Sequence, residues 1–131
     1  MTDIGKAIFA RAGIHAGLSA LIGSRMYPVE APQKTAIPYV TYQVISPVRD
    51  HAMSADGLGL PRVQFDCWAK NRADAMDVRD QILACFDRWS GIAGGITVDS
   101  SVCENDGMDV QTDDITRIPR VTLEFQMSYV L

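Results

Sequence analysis

Basic residues are in the minority: 12 Lys and Arg face 16 Asp and Glu across 131 residues, leaving a net charge of −4 at pH 7. Affinity for phosphate backbones comes from clustered Lys and Arg, so no specific nucleic-acid binding is expected. Cysteine is scarce and odd in number, at Cys67, Cys85 and Cys103, without a C-x-x-C pair. Such a set reads as reduced, mostly buried thiols rather than a disulfide framework. Histidine occurs twice, and neither His15 nor His51 has ligand spacing to a cysteine, so no metal is expected. No run approaches the roughly 18 apolar residues of a membrane span, and Met1-Thr2-Asp3 lacks the basic start of a signal peptide. No membrane partner is expected, and the redox state suits the cytoplasm.

Catalytic signatures are missing too. Asp50-His51 with Ser46 or Ser54 would suit a nucleophile with its base and orienting carboxylate, but there is no G-x-S-x-G elbow and the group reads as a solvated loop. His15 reads as a helix-break residue. Asp99, Glu104, Asp106, Asp109, Asp113 and Asp114 form an acidic stretch without Lys or Arg. Aligning Gly107 with the glycine of a calcium loop puts Val102 at the first ligand position and no glutamate at the last, so calcium fails. Glu104, Asp106, Asp109, Asp113 and Asp114 are left as a candidate acidic surface. Gly94-Gly95 lacks the rest of a phosphate-loop pattern, and no cofactor is expected. Catalytic residues are expected to be none, with no hydrolase, transferase or nuclease activity.

What is present is an ordinary foldable composition, 47% apolar and 21% charged, in a length that suits a single domain over residues 1–131. Ile4, Ala7, Ile8, Leu18, Leu21 and Ile22 make an apolar helical stripe interrupted at Gly13 and Gly17. This predicts a helix capped by Asp3 and running to about Arg11, a break, and a short second helical turn ending at Gly23-Ser24. Arg25 to Ile37 reads as extended loop because of its prolines. Pro38–Ile45 is β-branched and aromatic, a strand apolar on both faces, and Pro47–Gly59 is a long mobile loop. Arg62–Trp68 alternates strictly and predicts a strand. Asn71 caps an amphipathic helix with Asp74 in its first turn and Ala75, Val78, Ile82, Phe86 and Trp89 on its apolar stripe. Ile96–Val98 reads as a strand. Asn105-Asp106-Gly107 reads as a hairpin turn with its partner at Met108 to about Thr112. Arg120 to Tyr129 alternates again, with Val121, Leu123, Phe125, Met127 and Tyr129 on one face. The fold class expected is α+β, a mainly antiparallel β-sheet with two principal helices packed on one face.

Three blocks carry a resemblance. They are Leu21-Ile22-Gly23-Ser24-Arg25-Met26-Tyr27-Pro28, then Ile37-Pro38-Tyr39-Val40-Thr41-Tyr42, then Arg62-Val63-Gln64-Phe65-Asp66-Cys67-Trp68-Ala69 followed by Asn71 to Ala75. In this order, before a β-rich ending, the chain resembles the tail completion, or tail terminator, proteins of tailed phages and prophages. It departs at Gly13, His15 and Gly17, where relatives often carry a more regular helix-turn sequence, and in the 47–59 loop, which does not align.

The resemblance implies a virion structural protein that forms a ring, by analogy hexameric, at the head-proximal end of the tail tube. It would end tube polymerisation and join tail to head, with the tail tube protein and head connector proteins as partners, and would wait in the host cytoplasm before assembly. Arg25 and Tyr27 from the first block are candidate interface residues. Tyr39, Tyr42 and Trp68 are candidate aromatic anchors, and Arg120 and Glu124, on one polar face, could set register between neighbours. Arg49 and His51 are candidate loop residues. The alternatives are a small enzyme whose site is assembled from dispersed residues such as Asp66, His51 and Arg49, or a monomeric adaptor.

Overall fold

Alternating sequence dictates the centre of the molecule. Arg62–Trp68 and Pro119–Val130 pair antiparallel, setting Val63 opposite Phe125, Phe65 opposite Leu123 and Cys67 opposite Val121. All six are fully buried, so the register that forms is the one that puts every apolar side chain of both strands on one face. The structure is a computed structural model and describes residues 4–45, 58–107, 111–112 and 118–130. In chain order the elements are α1 (Ile4–Ile14), α2 (Ala16–Ile22), β1 (Met26–Pro28), β2 (Tyr39–Ile45), β3 (Leu58–Gly59), β4 (Arg62–Trp68), α3 (Arg72–Phe86), β5 (Gly91–Ala93), β6 (Ile96–Asn105), β7 (Gln111–Thr112) and β8 (Pro119–Val130). They build one sheet in the order β1-β2-β4-β8-β6-β5, with β3 and β7 pairing to the two ends of β8. Among the described strands only β1 and β2 run parallel. This is the expected α+β class.

The helices cover one face. On α3, Ala75, Val78, Ile82, Cys85 and Phe86 are buried, and Phe86 stacks on Phe65 at 4.9 Å while Phe125 meets Phe65 edge-on at 5.5 Å. Asn71 caps this helix as expected, its Oδ1 accepting from the Asp74 N–H at 2.8 Å. At the other end Asp87 accepts from the Cys103 N–H at 2.9 Å and the Arg88 N–H donates to the Ser101 carbonyl at 2.7 Å, so the chain leaving α3 closes the outer edge of β6.

The break between α1 and α2 falls at His15, the residue read as a helix break, although α1 itself continues past Arg11 through Gly13 to Ile14. His15 adopts extended backbone, and its Nδ1 accepts from the Leu18 N–H at 3.2 Å. The histidine therefore ends one helix and caps the next.

Several expectations need correcting. Met26–Pro28 is a strand, because Met26 pairs with Val40 in parallel register, a contact that local pattern does not encode. Gly91–Ala93 is another, folded onto β6 by the Gly94-Gly95 turn, where both glycines hold positive φ (58° and 76°). The Asn105-Asp106-Gly107 turn forms, with the Asn105 side chain accepting from the Gly107 N–H at 3.1 Å. However, β6 pairs with β8, and Gln111–Thr112 pairs with β8 too. β2 is buried on both faces only at Val40 and Thr41, while Val44 is 40% exposed. The cap expected at Asp3 and residues 47–57 of the expected loop lie outside the described residues.

Candidate assembly surface

No described helix covers the second face of the sheet, and its side chains fall into cross-strand rows. The first row joins Tyr39, Trp68 and Arg120, which are register partners across β2, β4 and β8. The Tyr39 and Trp68 rings stack at 5.9 Å with 20° between planes, and the Arg120 guanidinium carbon lies 5.4 Å from the centre of the Trp68 ring. The Trp68 indole N–H donates to Thr41 Oγ1 at 3.1 Å. The Nε of Arg120 is buried and has no acceptor among the described residues. Such a row is rigid, because each partner restricts the rotamers of the next.

The second row joins Thr41, Asp66 and Thr122. Both oxygens of Asp66 are engaged, one by the Thr122 hydroxyl at 2.6 Å and the other by the Gln64 amide at 3.3 Å. Asp66, one of the residues named for the dispersed-enzyme alternative, is thereby tied to the strand face. The others named for it, Arg49 and His51, lie outside the described residues. Farther along, Arg62 pairs with Glu104 at 2.8 Å and reaches Glu124 at 3.9 Å. These side chains are about one-third exposed or more, so the pairs add little stability, yet they do fix the order of charges along the face.

The seven interface candidates separate by position. Tyr39, Trp68, Arg120 and Glu124 sit on the uncovered face, and Tyr27 joins them because it is the register partner of Thr41. Tyr42 sits on the opposite face, where with Gly5, Lys6, Phe9 and Gly94 it lines an open groove of about 460 Å³. Arg25 is turned inward: its Nε donates to the Pro38 carbonyl at 2.9 Å and its Nη2 to the Leu21 carbonyl at 3.3 Å. Of the acidic candidates, Glu104 is paired with Arg62 and Asp106 is exposed. Asp109, Asp113 and Asp114 lie outside the described residues.

The thiols are poor nucleophiles. Burial pushes the Cys67 thiol well up, helped by the neighbouring Asp66 charge, and pushes Cys85 up to about 11. Cys103 is raised by burial and by Asp87. No cluster of three or more metal-ligating side chains exists among the described residues. No described helix is long and apolar enough to cross a membrane.

Sequence reasoning passed over the three most exposed large apolar residues among those described, one of them Ile14 at 73%. Val29 is 71% exposed and Ile92 is 74% exposed. None belongs to an alternating pattern, so nothing local marked them.

Fold and surface together define a single-sheet α+β subunit with helices on one face and ordered aromatic and charged rows on the other. The chain belongs to the family described as Tail completion protein gp17, whose model matches residues 6–129. It is a structural tail protein of that family. Its fold is similar to that of a chain in a structure titled "Virion of native gene transfer agent (GTA) particle", with a TM-score of 0.69 and 14% identity over 94% of this chain and 91% of that one. No curated protein matches the chain.

Proposed function

We propose that this protein closes into a ring, of six subunits by family analogy, at the head-proximal end of the tail tube, where it ends tube polymerisation and joins the tail to the head. The observation that carries this reading is the family match across residues 6–129. The physical requirement is a subunit with two unlike surfaces, because a heterologous contact whose rotation closes gives a ring with two different faces. One face can then bind the last tube ring while the other, shaped differently, refuses further tube subunits and receives the head connector. The uncovered row of Tyr39, Trp68 and Arg120, with Tyr27 and Glu124 nearby, is the candidate for one such contact, since aromatics and Arg dominate interface cores. Its action in this reading is binding and positioning, with no turnover.

The test is to image purified tails by electron microscopy and locate the protein. A closed ring at the head-proximal end is expected, together with overlong tubes when the protein is absent. Finding single copies on the tail, copies spread along the tube, or normal tube length without the protein would overturn the reading.

A further inference from the structure

α1 and α2 meet at a single residue. α1 ends at Ile14, α2 starts at Ala16, and His15 between them adopts extended backbone, with φ at −84° and ψ at 110°. Three hydrogen bonds hold the junction. The His15 N–H donates to the Ala12 carbonyl at 3.3 Å, the His15 carbonyl accepts from the Ser19 N–H at 2.9 Å, and the imidazole Nδ1 accepts from the Leu18 N–H at 3.2 Å. Only the last of these can be broken by a proton. A ring nitrogen that accepts carries no hydrogen, so the imidazole in this geometry is neutral, with its proton on Nε2.

The ordinary cap residues do not respond to mild acid. Ser, Thr and Asn accept at any pH, and an Asp cap fails only near about pH 4. Imidazole takes up its proton between about pH 8 and about pH 5. Once Nδ1 is protonated it is a donor facing a donor, and the Leu18 N–H loses its acceptor. The charges around the ring do not offset that loss. His15 follows the C-terminus of α1, which favours a positive charge, and precedes the N-terminus of α2, which disfavours one, so the two helix ends act in opposite directions. On α1, Arg11 lies one turn before His15, with its Nε donating to the Cys85 carbonyl at 3.1 Å and its guanidinium over the Trp89 ring. On α3, the side chain against this turn is neutral: a Cβ on Gly17 would collide with Gln81 Oε1 and lie 3.4 Å from His15 Cε1. Asp77, one turn before Gln81, is exposed. α2 itself carries no charged side chain. Arg11 and Asp77 act against each other, so loss of the cap decides the direction.

We propose that His15 is a pH-sensitive latch: protonation of its imidazole uncaps α2 and opens the first turn of that helix, so the junction is closed at neutral pH and loosened in mild acid. The opening stays local. Before the junction, α1 is anchored by Ile4, Ala7 and Ile8, all buried. Beyond it, the far end of α2 is held by buried Ile22 and by the Gly23 N–H donating to the Ser19 carbonyl at 2.8 Å. Opening of one such turn is a sub-global event of the kind that amide exchange reads, and a cap is worth a factor of about five in its equilibrium.

The experiment is nuclear magnetic resonance on the full, nitrogen-labelled chain at about pH 7.5 and about pH 5, either side of the imidazole transition. His15→Asn, which keeps an acceptor at both values, is the comparison. In the parent, Nδ1 should resonate as an unprotonated nitrogen at the higher pH. Protection of the Leu18 amide, meaning its exchange rate relative to an unstructured chain at the same pH, should fall about fivefold at the lower one. In His15→Asn that protection should be the same at both values, and the Leu123 amide in β8 should be unchanged in both proteins. Constant Leu18 protection in the parent, an equal fall in His15→Asn, or a protonated Nδ1 at the higher pH would overturn the proposal. A fall at Leu123 as large as that at Leu18 would also count against it, because the loss would then belong to the whole fold and not to the junction.

Discussion

Replacing Trp68 tests whether the uncovered face is a built surface or a chance alignment of residues. The indole makes three separable interactions: the stack on Tyr39, the contact with the Arg120 guanidinium, and the hydrogen bond to Thr41 Oγ1. The stack contributes about 0.5–1.5 kcal/mol beyond area burial, the cation contact about 0.5–1 kcal/mol, and the hydrogen bond to the buried Thr41 about 1 kcal/mol. Trp68→Ala removes all three and should cost about 3 kcal/mol, the low end of Trp→Ala costs because the residue is only half-buried. Trp68→Phe keeps a ring for both neighbours and removes only the N–H donor, so it should cost about 1 kcal/mol.

The assay is urea unfolding of the isolated subunit, followed by tryptophan-independent circular dichroism, with the slope checked for two-state behaviour. A double-mutant cycle of Trp68→Leu with Arg120→Met isolates the cation contact and should return about 0.5–1 kcal/mol of coupling. A coupling below about 0.3 kcal/mol, the scatter seen for independent sites, would refute the claim that the row is one unit. So would Trp68→Phe costing as much as Trp68→Ala.

Three further outcomes follow from particular contacts. His15→Ala should lower stability by about 1 kcal/mol through loss of the α2 cap, while His15→Asn, which can accept the same Leu18 N–H, should stay close to the parent in thermal melts. Gly107→Ala should cost about 2 kcal/mol or more, because φ is +68° and the new Cβ would lie 2.6 Å from the Thr122 carbonyl oxygen; a loss below about 1 kcal/mol would contradict it. Stability should fall as the pH rises above the ordinary thiol value of 9.0, since the unfolded chain ionises its thiols while the fold keeps Cys85 protonated up to about 11 and Cys67 beyond that. The slope is about 1.4 kcal/mol per pH unit for each thiol held neutral, and a Cys85→Ala variant that kept the full slope would refute the assignment.

The elements that could be read locally are those whose pattern is longer than their context. β4 and β8 alternate over enough residues to fix both type and facing, and α3 carries its own cap in Asn71 and its own stripe from Ala75 to Phe86. β1 and β5 have three residues each, too few for any period, and exist because β2 and β6 supply their partners. The turn at Asn105-Asp106-Gly107 was legible as a turn, while its pairing was not. Arg79 of α3 holds that turn through the Gly107 carbonyl at 3.1 Å, a contact between distant segments. For the surface, strand parity already separates two of the candidates. Tyr39 and Tyr42 are an odd number of residues apart on one strand, so they must point to opposite faces, and only Tyr39 reaches Trp68. The convergence of Tyr39, Trp68 and Arg120 depends on the registers of three strands and is visible only in the fold.

The three blocks that carried the family resemblance meet at one corner of the molecule, and there they do structural work. Gly23 ends α2 with φ at +61° and its N–H on the Ser19 carbonyl. Arg25 then ties the end of α2 to the start of β2 through the Leu21 and Pro38 carbonyls, and its own carbonyl accepts from the Val40 N–H at 3.0 Å. β4 completes the corner by pairing with β2 along its length. A guanidinium used this way is pinned by carbonyls of its own chain, so the first block specifies how the helices hand the chain to the sheet. That arrangement also explains the strain at Val29, where φ is +66°: with Arg25 and Pro28 fixed by the joint, the following residue leaves β1 in whatever conformation the joint leaves open.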